Sequence, residues 1–268
     1  MTLFINDYSE GCHERILEAL TRTNREQTTG YGTDPYCEEA RAILRREMNC
    51  PGADIRFLSG GTQTNLIAMT AALRPHEAVI GAASCHIFTH ETGAIEATGH
   101  KVLVIPDDEG KVRPAGILAM LEEHDMAPHM VKPRVVFISQ STEVGTIYTR
   151  EELQALHEVC RAHDLLLYAD GARLGVGLTA KGCDVTLADM AKYCDFFCIG
   201  GTKNGMVLRN YRKNMGTGSI DAYQLLMQIE GTPCLPAKVG VQQVLSLDKF
   251  FGQASANLTY KSAEMSQA

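Results

Sequence analysis

The sequence predicts an α/β fold: a mainly parallel sheet sandwiched between helices. Three features of the chain point there. Short, nearly continuous apolar runs recur between Ile55 and Gly200, stretches with helical spacing separate them, and turn-forming residues bound the runs. Such runs suit strands buried on both faces, whereas a half-solvated antiparallel sheet alternates apolar and polar residues.

In chain order, "CHERILEALTRTNRE" sets Ile16, Leu17, Leu20 and Thr23 at helical spacing, and "YCEEARAILRREMN" does the same with Ala40, Ile43 and Leu44. These amphipathic helices make residues 1–50 an N-terminal helical segment of the large domain. The strand "IRFL" and the helix "TQTNLIAMTAAL" follow, then the strands "EAVIGA" and "KVLVIP", the helix "AGILAMLEEH" and the strand "PRVVFIS". The helix "REELQALHEVCRAH" opens on a capping box of Thr149 and Glu152, and the strands "LLLYAD" and "DFFCIG" complete an α/β core over residues 51–206. After Met206, "NYRKNMGTGSIDAYQLL" and "GTPCLPAKVGVQQVLSLDKFFGQ" hold helical fragments broken by Gly and Pro. Residues 207–268 are therefore expected to be a divergent or truncated remainder of the large domain.

Composition narrows the function. With 268 residues, 45% of them hydrophobic, the chain can bury a large core. A net charge of −7 and the absence of a Lys/Arg-rich block argue against a nucleic-acid surface. No run approaches the roughly 18 apolar residues of a membrane span, and the first residues do not pattern as a secretory signal. A cytoplasmic protein without a membrane partner is expected. Nine cysteines without CxxC pairs read as reduced, mostly buried thiols.

In open parallel sheets, chemistry gathers beyond the carboxyl ends of the strands. After "IRFL" comes "SGGTQTN", where Gly60, Gly61 and Thr62 lead into a helix. Glycines admit a ligand close to the backbone and a helix N-terminus offers free N–H groups, which suits a phosphate; a tight turn with Thr62 as N-cap is the plainer alternative. The loop lacks both the GxGxxG and the GK[ST] spacing of nucleotide sites. After "LLLYA" comes "DGAR", with Asp170 at the end of a buried strand and Arg173 close behind, either a structural ion pair or a functional acid. After "DFFCI" comes "GGTKNG", in which Lys203 stands among small residues. A lysine with room beside it can receive a flat ligand, and burial favours imine formation; a snorkelling surface lysine is the ordinary alternative. Together, a phosphate cup, an acid at a strand end and a lysine in that order are the parts that hold pyridoxal 5'-phosphate.

The runs "GYGTDPYCEEA", "SGGTQTN", "HIFTHETGAIEATGHKV", "STEVGTIY", "YADGARLG" and "GGTKNG" resemble the threonine aldolase and β-eliminating lyase family, over about Phe4 to Met206. The resemblance implies a fold type I pyridoxal-phosphate-dependent, transferase-like large domain, with residues 51–206 as its cofactor-binding core. It implies that Lys203 carries the cofactor, that Asp170 partners the pyridine nitrogen and that Arg173 binds the substrate carboxylate. Gly60, Gly61, Thr62 and Thr202 join the cofactor site, and His86 stacks on the pyridine ring. His86 and His90 at i, i+4 also suit a metal, but the sequence offers no third ligand and none is expected. Tyr31 falls at the edge of the site, near a neighbouring subunit of a homodimer or homotetramer.

The implied activity is retro-aldol cleavage of a β-hydroxy-α-amino acid, threonine or allo-threonine, to glycine and an aldehyde. Glu143 stands where many such aldolases have a histidine, so the base is Glu143, directly or through water, or another group. The small C-terminal domain of the family has no counterpart before Ala268 and is expected to be missing. A β-eliminating lyase on another amino acid, and a cofactor-binding protein with little activity, remain alternatives.

Overall fold

The computed structural model describes residues 5–9, 11–206 and 224–228. Among the described residues, seven strands form one sheet: β1 (Asp54–Leu58), β2 (Glu77–Ala82), β3 (Lys101–Ile105), β4 (Lys132–Ser139), β5 (Leu166–Asp170), β6 (Phe196–Gly200) and β7 (Gln224–Gln228). Their order across the sheet is β1-β7-β6-β5-β4-β2-β3. Strands β2 to β6 pair in parallel, and β7 alone runs antiparallel to its neighbours, β1 and β6. All six strands expected before Met206 are present. The seventh lies in the stretch where no alternation was legible, and the rest of 207–268 lies outside the described residues.

Eight α-helices among the described residues accompany the sheet: α1 (Glu14–Thr23), α2 (Pro35–Glu47), α3 (Gly61–Ala72), α4 (His86–Thr89), α5 (Pro114–Glu123), α6 (Arg150–Ala162), α7 (Leu174–Leu178) and α8 (Leu187–Tyr193). Every residue of β2 and β5 is buried, so both faces of the central sheet are covered. Aromatic pairs tie three neighbouring strands together: Phe137 of β4 meets Tyr168 of β5 at 5.4 Å between ring centres, and Tyr168 meets Phe196 of β6 at 4.8 Å. The expected capping box forms, since Thr149 accepts from the Glu152 N–H at 3.2 Å and Glu152 accepts from the Thr149 N–H at 2.9 Å.

The two amphipathic helices expected at the N-terminal end form, but they bury little. Thr23 is the one buried residue of α1, α2 has none, and Leu17 and Ile43 are 52% and 42% exposed. Polar anchors hold this segment instead. Arg41 and Arg45 each donate Nε–H at 2.9 Å to the carbonyls of Ile55 and Ala53, and the His13 N–H bonds the carbonyl of Gly205 at 3.2 Å. That last bond brings the N-terminal segment to the lysine loop.

The strand order places the site. Strand β3 lies outside β2 while β4 lies on its other side, so the winding direction changes between β2 and β4. A crevice opens at such a point beyond the carboxyl ends of the strands. Among the described residues, no helix is long and apolar enough to cross a membrane.

Candidate active site

The loops after β5 and β6 are pressed together through their backbones. A Cβ on Gly171 would collide with the carbonyl of Cys198, and one on Gly200 with the carbonyl of Ala172. The Gly200 N–H donates to the Gly171 carbonyl at 2.8 Å. Glycine is needed at both positions for close approach rather than for an unusual φ. The contact sets the acid of "DGAR" beside the lysine of "GGTK". Lys203 lies in a short 3-10 turn, Thr202–Asn204, closed by Gly205 at φ 69°.

The side chain of Lys203 is 17% exposed, and its Nζ stands 3.8 Å from Asp7 Oδ1 and 5.7 Å from the centre of the Tyr8 ring. Asp7 also accepts from Arg173, with Nε at 2.6 Å and Nη2 at 3.3 Å. One carboxylate therefore spans both cations. Burial pushes the Asp7 carboxyl up, but the Arg173 hydrogen bond and the charges of Lys203 and Arg173 outweigh it and hold the group below its usual range. On the other side of Arg173, Nη1 lies 3.6 Å from Glu143 Oε2, and the Ser139 hydroxyl at the end of β4 reaches Glu143 Oε1 at 3.4 Å.

Asp170 ends β5 at 3% exposure and is fully bonded: Oδ1 accepts from the Ala172 N–H at 2.8 Å, and Oδ2 from Asn65 Nδ2 at 2.9 Å. Asn65, on α3, gives its second amide proton to Glu91 Oε1 at 2.7 Å and accepts from the Tyr168 hydroxyl at 2.7 Å. Glu91 Oε1 also meets His86 Nδ1 at 2.9 Å. That hydrogen bond, above all, raises the His86 imidazole over its ordinary value, against the opposing effect of burial; the charges of Asp170, Glu143 and Glu91 add to it.

At the site, two buried oxygens have no partner among the described residues: Thr202 Oγ1 and Glu91 Oε2. Helix α3 also starts without a side-chain cap, on Gly60 in extended backbone, so the first N–H groups beyond Gly60 are left for an external acceptor. Thr62 is exposed and lies within the helix, so the N-cap alternative does not hold.

The structure thus gathers Asp170, Arg173, Glu143, His86 and Lys203 around the strand ends, with Gly60, Gly61 and Thr62 at the start of the helix that carries Asn65. Tyr31 stands apart, 99% exposed with φ 61°. Ligand atoms of His86, Glu91 and Asp170 lie within 4.8 Å of one another, a third-ligand geometry that the sequence did not offer. The Asn65 amide already bonds both carboxylates of that group. Sequence reasoning missed Asp7, Asn65, Glu91 and Tyr168. Asn65 and Glu91 both sit inside the motifs quoted above, and a polar residue on the apolar face of a helix is a signal that a buried partner is required.

A lysine and an acid at adjacent strand ends, beside a glycine-led helix N-terminus, define the class of fold type I pyridoxal-phosphate enzymes. The model of the β-eliminating lyase family matches residues 7–208, and the chain belongs to that family. It is 34% identical over 210 residues to a low specificity L-threonine aldolase of Pseudomonas aeruginosa, a match covering 76% of this chain and 59% of that protein. The corresponding Escherichia coli K12 protein is 28% identical over 172 residues, covering 63% and 49%. A solved structure of Leishmania major threonine aldolase superposes with a TM-score of 0.76 at 46% identity, covering 84% of this chain and 62% of that one. An aspartate aminotransferase of Thermus thermophilus shares the fold, with a TM-score of 0.61 at 17% identity over 82% of this chain and 55% of that one. The chain thus spans less than two thirds of the length of these relatives.

Proposed function

We propose that this chain is a pyridoxal-phosphate-dependent lyase that cleaves β-hydroxy-α-amino acids such as threonine or allo-threonine to glycine and an aldehyde. The observation that carries the reading is Lys203, largely buried and paired with a carboxylate, one turn beyond β6 and beside the loop of Asp170. The residues present fit the cofactor. The unpartnered Thr202 hydroxyl and the uncapped start of α3 at Gly60, Gly61 and Thr62 suit its phosphate, and Asp170 suits a protonated ring nitrogen.

When bound, pyridoxal phosphate supplies the electron sink that makes a bond at Cα breakable. Lys203 holds the cofactor through Nζ. Asp170, fixed by Asn65 and the Ala172 N–H, keeps a proton at the ring nitrogen. Arg173 receives the substrate carboxylate, for which Asp7 stands in within the free chain. His86 would lie against the ring, and the proton of the β-hydroxyl goes to Glu143, directly or through water, the carboxylate beside Arg173. The wider assignment follows the same reading: a cytoplasmic homodimer or homotetramer, with Tyr31 facing a second copy.

Purified chain loaded with pyridoxal phosphate and given threonine is expected to release glycine and acetaldehyde in equal amounts. Pyruvate from a substrate with a leaving group at Cβ, without glycine from threonine, would assign β-elimination instead. A visible cofactor band with no product from either class would leave a cofactor-binding protein.

A further inference from the structure

The carboxamide of Asn65 joins two buried acids, and its orientation is forced. Tyr168 is fully buried, and burial drives its phenol well above the ordinary value, so it stays protonated and donates. It donates to Asn65 Oδ1 at 2.7 Å, which leaves both amide protons for Glu91 Oε1 and Asp170 Oδ2. An ionised carboxylate only accepts, so the 2.9 Å contact between Glu91 Oε1 and His86 Nδ1 requires the proton on Nδ1. Glu91 is 4% exposed, and its second oxygen has no partner among the described residues. A buried carboxylate with one free oxygen is costly unless a cation stands beside it. Asp170 Oδ2 hangs on the same amide, so any turn of the Asn65 side chain disturbs the acid at the end of β5.

We propose that Glu91 is a positioning residue of the cofactor pocket, acting in two directions. Through His86 it keeps an imidazolium, with Nδ1 protonated, over the place of the cofactor ring. Through Asn65 it fixes the carboxylate of Asp170 in a single orientation. Two adjacent acids then serve two adjacent cationic rings, and Glu91 offsets the charge of His86 that would otherwise oppose a protonated cofactor. The inference rests on the pyridoxal-phosphate reading for its purpose, but not for its first test.

The groups facing His86 are His90 on its own segment, its ring centre 5.6 Å away, Glu91, Asp170 at the end of β5 and Glu143 beyond β4. Titration of His86 in the cofactor-free protein, followed by side-chain nitrogen NMR with His86→Asn for assignment, is expected to show a midpoint above 6.5 and the Nδ1–H form on the alkaline side. A midpoint at or below 6.5, or the Nε2–H form, would overturn the proposal without any variant of Glu91. Glu91→Gln keeps the shape and removes the charge. It should lower the midpoint by about one unit and weaken cofactor binding about tenfold, with Glu91→Asp recovering part of both. A folded Glu91→Gln protein with unchanged midpoint and unchanged cofactor affinity would also overturn it. If the wild-type chain binds no cofactor, the functional reading fails, while the midpoint still decides the role of Glu91 toward His86.

Discussion

A single carboxylate, Asp7, spans two cations, Arg173 and Lys203. Its pairing with Arg173 and Lys203 lowers its pKa, and an acid with a lowered pKa contributes stability that is present above its unfolded value and lost as pH falls through the folded one. Asp7→Asn should therefore be less stable than wild type near neutral pH, and the gap should close on acidification below about pH 4. Urea midpoints at pH 7 and pH 3 check this, and an equal gap at both would remove Asp7 as an ionised partner. Gly200 makes a sharper case. A methyl group there meets the backbone of Ala172, which no rotamer can relieve, so Gly200→Ala should cost about 1–3 kcal/mol and loosen the lysine loop. Denaturant unfolding and the cofactor absorbance band together report on both effects.

Helix α6 shows how one element is fixed by its first turn. Glu152 closes the capping box with Thr149 and also takes Lys111 at 2.7 Å and Arg113 at 2.8 Å. Thr149→Ala should cost about 1 kcal/mol in equilibrium unfolding. Glu152→Gln should cost more, about 2 kcal/mol, because Lys111 is only 8% exposed and would lose its counter-ion. Equal costs for the two would mean that the cap alone matters. At this scale the sequence was easily read. Strands β2, β4 and β5 each carry a short apolar run closed by turn residues, and the Thr149 to Glu152 spacing is local. Strand β7 was not legible: "QLLMQ" carries no turn signal of its own, and what makes it a strand is the slot between β1 and β6, set by distant residues. The stripes of α1 and α2 were legible as helices but not as surfaces, since periodicity does not reveal whether a face finds a partner.

Across the whole molecule, the site is assembled from six separated places in the chain: Asp7, α3, the α4 segment, the loop after β4 and the ends of β5 and β6. Lys203, Asp170 and Arg173 were legible because each ends or follows a buried strand, where a charged side chain is conspicuous. Asn65 and Glu91 were not, because their meaning lies in contacts that bridge 26 and 105 residues. The sheet brings these partners together at the carboxyl ends of its strands, where the order reverses between β2 and β4. We propose that this convergence carries pyridoxal phosphate on one lysine, Lys203. The most direct test is to load the chain with the cofactor, reduce it with borohydride and locate the retained pyridoxyl group by peptide mass spectrometry. A single modified site at Lys203, absent in Lys203→Ala, is expected. Modification spread over other lysines, or retained in that variant, would contradict it.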